Sequence, residues 1–394
     1  MKRIGFLCLA KYPVPSVKGG AVETLVTNLL DENEKSHLLD LVVFSFGDKE
    51  AESQSEAYKN AEFFFIKKSF VRKALNKVYC KLVKMFNEED SLYYQSLKRK
   101  IKESRVSAIV LEASSGYASK LKRDFPTIKL FFHVHNIPEQ EEALPSFVNS
   151  IDGSFCISQF IQNETIKRLH VTPQKVSLWY NSVDLQQFCP ATIEGRERFR
   201  MRQGFDANDK IIIYAGRLQP YKGIKQLLEA FCKINDPNIK LLIVGSSFFS
   251  SSKPTPFMRE LKILSQAKED KISFTGFVPH QQIQEFYQIA DVAVLPSMWE
   301  EPFGLTCLEA LACGLPVITT KSGGLPEIVT PKCGILLDRD PRIEDNIYNN
   351  ILNLLNNQSL LLSMSLEARL RAEKFDSKDY LNNFCNLIKH YEQF

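Results

Sequence analysis

Residues Leu295 to Val329 read L-P-S-M-W-E-E-P-F-G-L-T-C-L-E-A-L-A-C-G-L-P-V-I-T-T-K-S-G-G-L-P-E-I-V, and this stretch decides the fold. An apolar run from Asp291 to Leu295 leads into a loop carrying two carboxylates, a proline, an aromatic and a glycine. A helical pattern follows from Leu305 to about Cys313, then a second apolar run from Leu315 to Thr320. This is a strand, loop, helix, strand unit, and its loop opens at the carboxyl end of a strand, where open α/β sheets bind ligands. The N–H groups of Phe303, Gly304 and Leu305 stand at the helix start, a cradle suited to phosphate. Glu301 precedes the helix and Glu309 lies about one turn inside it. Carboxylates beside a phosphate cradle repel the ligand unless they address hydroxyls. A nucleotide sugar carries both features. A plain parallel βαβ unit, with its Gly and Pro only punctuating turns, is the competing reading.

Outward from this stretch, the chain has 394 residues, enough for two domains with separate cores. An apolar content of 44% and a charged content of 24% are those of an ordinary globular protein. The nine cysteines are odd in number, with no C-x-x-C pair and no clustering with histidine, which points to a reducing compartment and away from zinc. No run approaches the ~20 apolar residues of a membrane span, and the first ten residues look like a strand rather than a signal peptide. A cytoplasmic protein is expected.

Lys2 to Ala10 reads as a buried first strand, followed by a proline-punctuated loop ending in Gly19-Gly20 and a helix to about Leu30. Two glycines at a helix start let phosphates approach the backbone closely. Strands are predicted at Leu41 to Phe46, Phe63 to Ile66, Ala108 to Leu111, Ile128 to Val134, Gly153 to Ile157 and Val176 to Trp179. The run F-F-H-V-H-N-I-P-E from Phe131 ends in His133 and His135, which alternation places on one side of the strand. No third metal ligand is evident near them. His133 reads as a structural imidazole and His135 as the candidate site residue.

A polar stretch places the domain boundary near Pro190, giving residues 1–189 and 190–376, with a closing helical tail at 377–394 that is amphipathic and suited to packing on the first domain. The pattern then restarts. Lys210 to Gly216 is a second first strand, and Arg217 and Lys222 flank the tight turn after it. Two cations beside a helix start suit a diphosphate that gains charge as it leaves. Between Lys67 and Phe86, nine apolar positions form a helical stripe and the remaining ones include seven Lys/Arg and no acid. Such a helix either lies at an anionic membrane surface, here the inner face of the cell membrane, or packs on the sheet with its lysines solvated. Nucleic acid is not an expected partner, because no basic and aromatic interleaving recurs.

Taken in order, these motifs resemble those of the GT-B glycosyltransferases of family 4. The phosphate signature G-R-L-x-x-x-K-G stands at Gly216 to Gly223, the E-x7-E signature at Glu301 and Glu309, and Gly323-Gly324-Leu325-Pro326-Glu327 follows. Asn181-Ser182-Val183-Asp184 fits more loosely, since the family usually has Asn-Gly-Val-Asp. The resemblance implies an α/β protein of two Rossmann-like domains facing across a cleft, with the nucleotide held by the second. It implies that Arg217 and Lys222 bind the donor diphosphate, Glu309 the ribose and Glu301 the donor sugar. Phe303, Gly304 and Leu305 would complete the donor site, Gly19 and Gly20 would approach the phosphates, and His135 would sit near the reacting carbon. It further implies a retaining transferase with a nucleotide-sugar donor, commonly a uridine diphosphate sugar, and a saccharide or lipid-linked acceptor, in cell-surface polysaccharide or glycoconjugate synthesis. No cofactor or metal is expected. Asp338-Arg339-Asp340 spells the metal motif of another glycosyltransferase fold but reads here as a surface turn. A nucleotide-sugar epimerase of similar shape, a starch- or glycogen-synthase-like enzyme and an inactive scaffold partnering a catalytic subunit are the alternatives. The intact set of four charged residues argues against the scaffold, and Lys18 abutting Gly19 departs by one position from the synthase spacing.

Overall fold

The computed structural model describes residues 3–9, 12–66, 92–246 and 255–392; the basic stretch Lys67 to Phe86 lies outside them. The chain divides into two compact units, Met1–Tyr180 with Ser377–Phe394, and Asn181–Asp376. Both are parallel α/β units of Rossmann type.

The first unit is built on β1 (Arg3–Cys8), β2 (Asp40–Phe46), β3 (Ala61–Ile66), β4 (Ala108–Glu112), β5 (Lys129–Val134), β6 (Gly153–Cys156) and β7 (Val176–Leu178). They pair in parallel in the order β3-β2-β1-β4-β5-β6-β7. Most of these strands are near-continuous apolar runs because helices cover both faces of such a sheet. The order turns around between β1 and β4, so the crevice beyond their carboxyl ends is where a ligand of this unit is received. The helix after Gly20 runs from Ala21 to Ser36, past the expected end near Leu30. Periodicity marked only its apolar face, whereas the polar residues after Leu30 sustain the helix until His37 closes it in the left-handed conformation.

The last helix, Ser377–Glu392, gives Tyr380, Leu381, Phe384 and Ile388 to the core of this unit, beside Ile4, Phe6 and Leu29. Trp179 stacks on Tyr380 with ring centroids 4.3 Å apart and donates its indole N–H to the Tyr380 carbonyl at 3.1 Å.

The second unit is built on β8 (Lys210–Ala215), β9 (Ile239–Val244), β10 (Ile272–Gly276), β11 (Val292–Leu295), β12 (Val317–Thr320) and β13 (Gly334–Leu337). Their order is β10-β9-β8-β11-β12-β13, with parallel ladders and the turnaround between β8 and β11. This unit begins at Asn181 rather than near Pro190. The reason is packing: Val183 donates its amide to the Phe375 carbonyl, and Phe188 is buried against His280 and Tyr287. The polar stretch after Phe188 is a feature of this unit's surface, not its edge in sequence.

Candidate functional site

In the second unit, the turn after β8 and the loop after β11 meet. Met298 donates its amide to the Tyr221 carbonyl at 2.8 Å, which brings Lys222 beside Glu301. The Lys222 ammonium reaches both Glu301 oxygens, at 3.0 and 2.7 Å. The same carboxylate accepts from Ser297 Oγ at 3.1 Å and from the Trp299 indole at 2.9 Å. Lys222 also lies over the Trp299 ring, 5.1 Å from its centroid. Segment 322–324 clamps the loop from the far side. Ser322 Oγ accepts from the Glu301 amide, and the Gly324 amide donates to the Glu301 carbonyl.

One pocket collects Lys222, Ser297, Glu301, Gly304, Thr306 and Leu325. The helix Leu305–Ala312 starts there with Gly304 as its cap, and among the described residues no side chain caps it. Gly304 has φ of 108°, and a Cβ on it would meet Leu325 Cδ2 at 2.4 Å, so only glycine fits this helix start. Arg217 is exposed, with its guanidinium carbon 5.9 Å from the centroid of the Tyr221 ring. The Phe303 side chain belongs to the core, against Phe375.

Glu309 is the charged exception on a helix otherwise rich in buried apolar residues. A buried carboxylate needs donors. His280 Nε2 supplies one at 2.8 Å and the Tyr287 hydroxyl another at 3.1 Å. Burial works to lower the His280 pKa, but its hydrogen bond and charge pairing with Glu309 win, and it stands above the ordinary value. Neither His280 nor Tyr287 carried a motif in the sequence. The Asp338-Arg339-Asp340 run is a surface turn in which Asp338 pairs with Lys321, Arg339 with Glu300, and Asp340 accepts from the Arg342 amide.

Gly19, Gly20 and His135 belong to the first unit. The space beside Gly20 is filled from within. A Cβ there would meet Glu23 Oε2 at 2.2 Å and the Tyr12 ring at 3.1 Å. Glu23, in the first turn of the helix, folds back and accepts the Tyr12 amide at 3.1 Å, and burial raises its pKa. The glycine here serves the return of that carboxyl.

At the ends of β4 and β5, Glu112 faces both histidines. His133 Nδ1 lies 2.9 and 3.0 Å from its two oxygens, and His135 Nε2 lies 2.6 Å from Oε2. Burial alone would raise the Glu112 pKa, but the two imidazoles hold it well below the usual carboxylate range. Burial pushes His133 down to about 4, so it is neutral near pH 7. The third partner that the sequence left unseen is therefore Glu112, delivered by the parallel register that sets it against His133. Its signal was a lone acid closing the apolar run A-I-V-L. These three side chains offer ligand atoms within 4.8 Å of one another, the one such group among the described residues.

Three comparisons bear on this geometry. Residues 195–371 match the family described as "Glycosyl transferases group 1". The chain is 32% identical to the lipopolysaccharide 1,2-N-acetylglucosaminetransferase of Salmonella typhimurium, covering 70% of this chain and 72% of that protein. It is 26% identical to spore coat protein SA of Bacillus subtilis, over 99% of both chains. In structure it is similar to HepE of Anabaena, solved in complex with UDP and glucose, with a TM-score of 0.78 at 18% identity, covering 99% of this chain and 100% of that one.

Proposed function

Because the chain belongs to the glycosyl transferases of group 1, we propose that it moves a sugar from a uridine diphosphate sugar to a saccharide or lipid-linked saccharide acceptor, with retention at the anomeric carbon and without a metal. One observation carries this reading: Lys222, Glu301 and the uncapped helix start at Gly304 share a pocket at the carboxyl end of β11.

Lys222 is paired with Glu301. A diphosphate offers Lys222 a denser negative charge, and the helix start adds backbone donors to the same oxygens. As Lys222 turns to phosphate, Glu301 keeps the Ser297 and Trp299 hydrogen bonds that fix it and gains free lone pairs for sugar hydroxyls. Arg217, on the exposed side of the turn, adds a second cation. Glu309, already aligned by His280 and Tyr287, retains acceptor capacity for the ribose hydroxyls.

The anomeric C–O bond to phosphate breaks with charge developing on the leaving diphosphate, where Lys222, Arg217 and the helix start stabilise it. The acceptor oxygen bonds to the same face of the carbon, and its proton passes to the departing phosphate oxygen. That route needs neither a carboxylate nucleophile nor a bound ion. The UDP and glucose bound by HepE support uridine as the base, and the lipopolysaccharide named for the Salmonella enzyme supports a glycan or glycolipid acceptor.

Replacing either charged partner tests this. Glu309→Ala and Lys222→Ala are each expected to lower transfer by about 100-fold or more, the scale of losing one transition-state donor. Near-normal turnover in either, measured by nucleotide release, would overturn the site.

A further inference from the structure

We propose that Glu112 is a positioning residue for this reaction: it holds His135 as the Nε2–H tautomer, leaving Nδ1 as the ring's acceptor toward a substrate hydroxyl. The inference rests on the proposed transfer reaction and on the resemblance that sets His135 near the reacting carbon.

For neutral rings, the hydrogen bonds to an ionised Glu112 set the tautomers. Glu112 is 1% exposed and ionised, so it only accepts. His133 must then donate Nδ1–H and His135 must donate Nε2–H. Each ring has one further nitrogen. Among the described residues His133 Nε2 is buried and has no hydrogen-bond partner, as fits a neutral ring serving only to hold the carboxylate. Among the described residues no hydrogen bond reaches His135 Nδ1, and the His135 side chain is 7% exposed at the end of its strand.

Glu112 is itself held rigidly. His133 stacks on Trp179 with centroids 4.5 Å apart, and Trp179 stacks on Tyr380 of the last helix. Immediately after Glu112 the chain turns at Ala113 with φ of 45°, a conformation an alanine seldom takes, and Ser114 Oγ donates back to the Glu112 carbonyl at 2.9 Å. Carboxylate, imidazole and backbone are thus fixed before any ligand arrives, which is what orienting a reacting group requires.

The same three side chains resemble a set of metal ligands, but their spacing favours hydrogen bonds. Ligand atoms about 2.0 to 2.2 Å from one ion stand roughly 3 Å or more apart, whereas His135 Nε2 and Glu112 Oε2 are 2.6 Å apart.

The tautomer can be read directly. In protein labelled with 15N-histidine at pH 8, the His135 ring, identified by its loss in His135→Gln, is expected to show a protonated Nε2 and a bare Nδ1. A protonated Nδ1 overturns the proposal, whether or not Glu112→Gln folds. Glu112→Gln, whose amide can donate to the ring, is expected to mix or invert the tautomer. It should lower kcat by at least ~100-fold, since loss of a tautomer-fixing carboxylate reaches ~10⁴-fold in a serine-protease triad. The donor KM should stay within about threefold, and Glu112→Asp should recover part of kcat. An altered tautomer with unchanged kcat overturns the catalytic role. So does one equivalent of metal in the purified protein whose chelation changes the His135 ring signals. The ring signals do not depend on turnover, so failure of the transferase reading and failure of the tautomer assignment give different results.

Discussion

Glu301 and Glu309 are eight positions apart and differ in company. Glu301 is held by a lysine, and Glu309 by a histidine and a tyrosine. In the proposed reaction this difference suits Glu301 to the transferred sugar and Glu309 to the nucleotide. His133 shows what burial does to a titrating group. Its folded pKa lies near 4, below the ~6.5 of an unfolded histidine. Between those values the unfolded chain binds a proton that the folded chain refuses, so this contribution is complete above about pH 6.5 and is lost as pH falls toward 4. Urea unfolding is expected to give a lower free energy at pH 5 than at pH 7.5, with a smaller difference in His133→Gln. Equal pH dependence in both proteins would remove His133 as the cause.

At the scale of elements, the last helix matters most to the first unit. Phe384 is fully buried and packs against Phe6, Phe155 and Trp179. Phe384→Ala is expected to cost about 3–5 kcal/mol, read as a shift in the denaturant midpoint. A shift below about 1 kcal/mol would mean that the helix is only loosely part of this core. The sequence made such elements legible wherever burial imposed a period. The strands of both sheets, the helix after Gly304 and the amphipathic closing segment all carry apolar patterns that one window can read. What it concealed were partnerships across strands and turns. Glu112 meets His133 through parallel register, His280 meets Glu309 from a turn with no pattern of its own, and Glu23 returns over Gly20 only because the preceding loop closes. Beside Gly20 the fold places the Glu23 carboxyl, a neighbour no pattern in the sequence marked.

Across the whole molecule, two sheets of the same construction place their chemistry at equivalent points. The turnaround between β1 and β4 carries Glu23 and Glu112, with His135 one strand further at the end of β5, and the turnaround between β8 and β11 carries Lys222 and Glu301. Family membership fixes glycosyl transfer as the shared chemistry, while donor and acceptor follow from the proposal above. The boundary also acquires a physical meaning at this scale. The segment after Tyr180 is committed to the second unit by Val183 and Phe188, and the chain returns to the first only at Ser377. No helix among the described residues is long and apolar enough to cross a membrane. The central claim, metal-free transfer from a uridine diphosphate sugar, is tested most directly by nucleotide release from a panel of nucleotide sugars, with saccharide acceptors, in excess EDTA. Acceptor-dependent release of UDP at the same rate with and without the chelator is expected. Release from no uridine donor, or release abolished by EDTA, would contradict it.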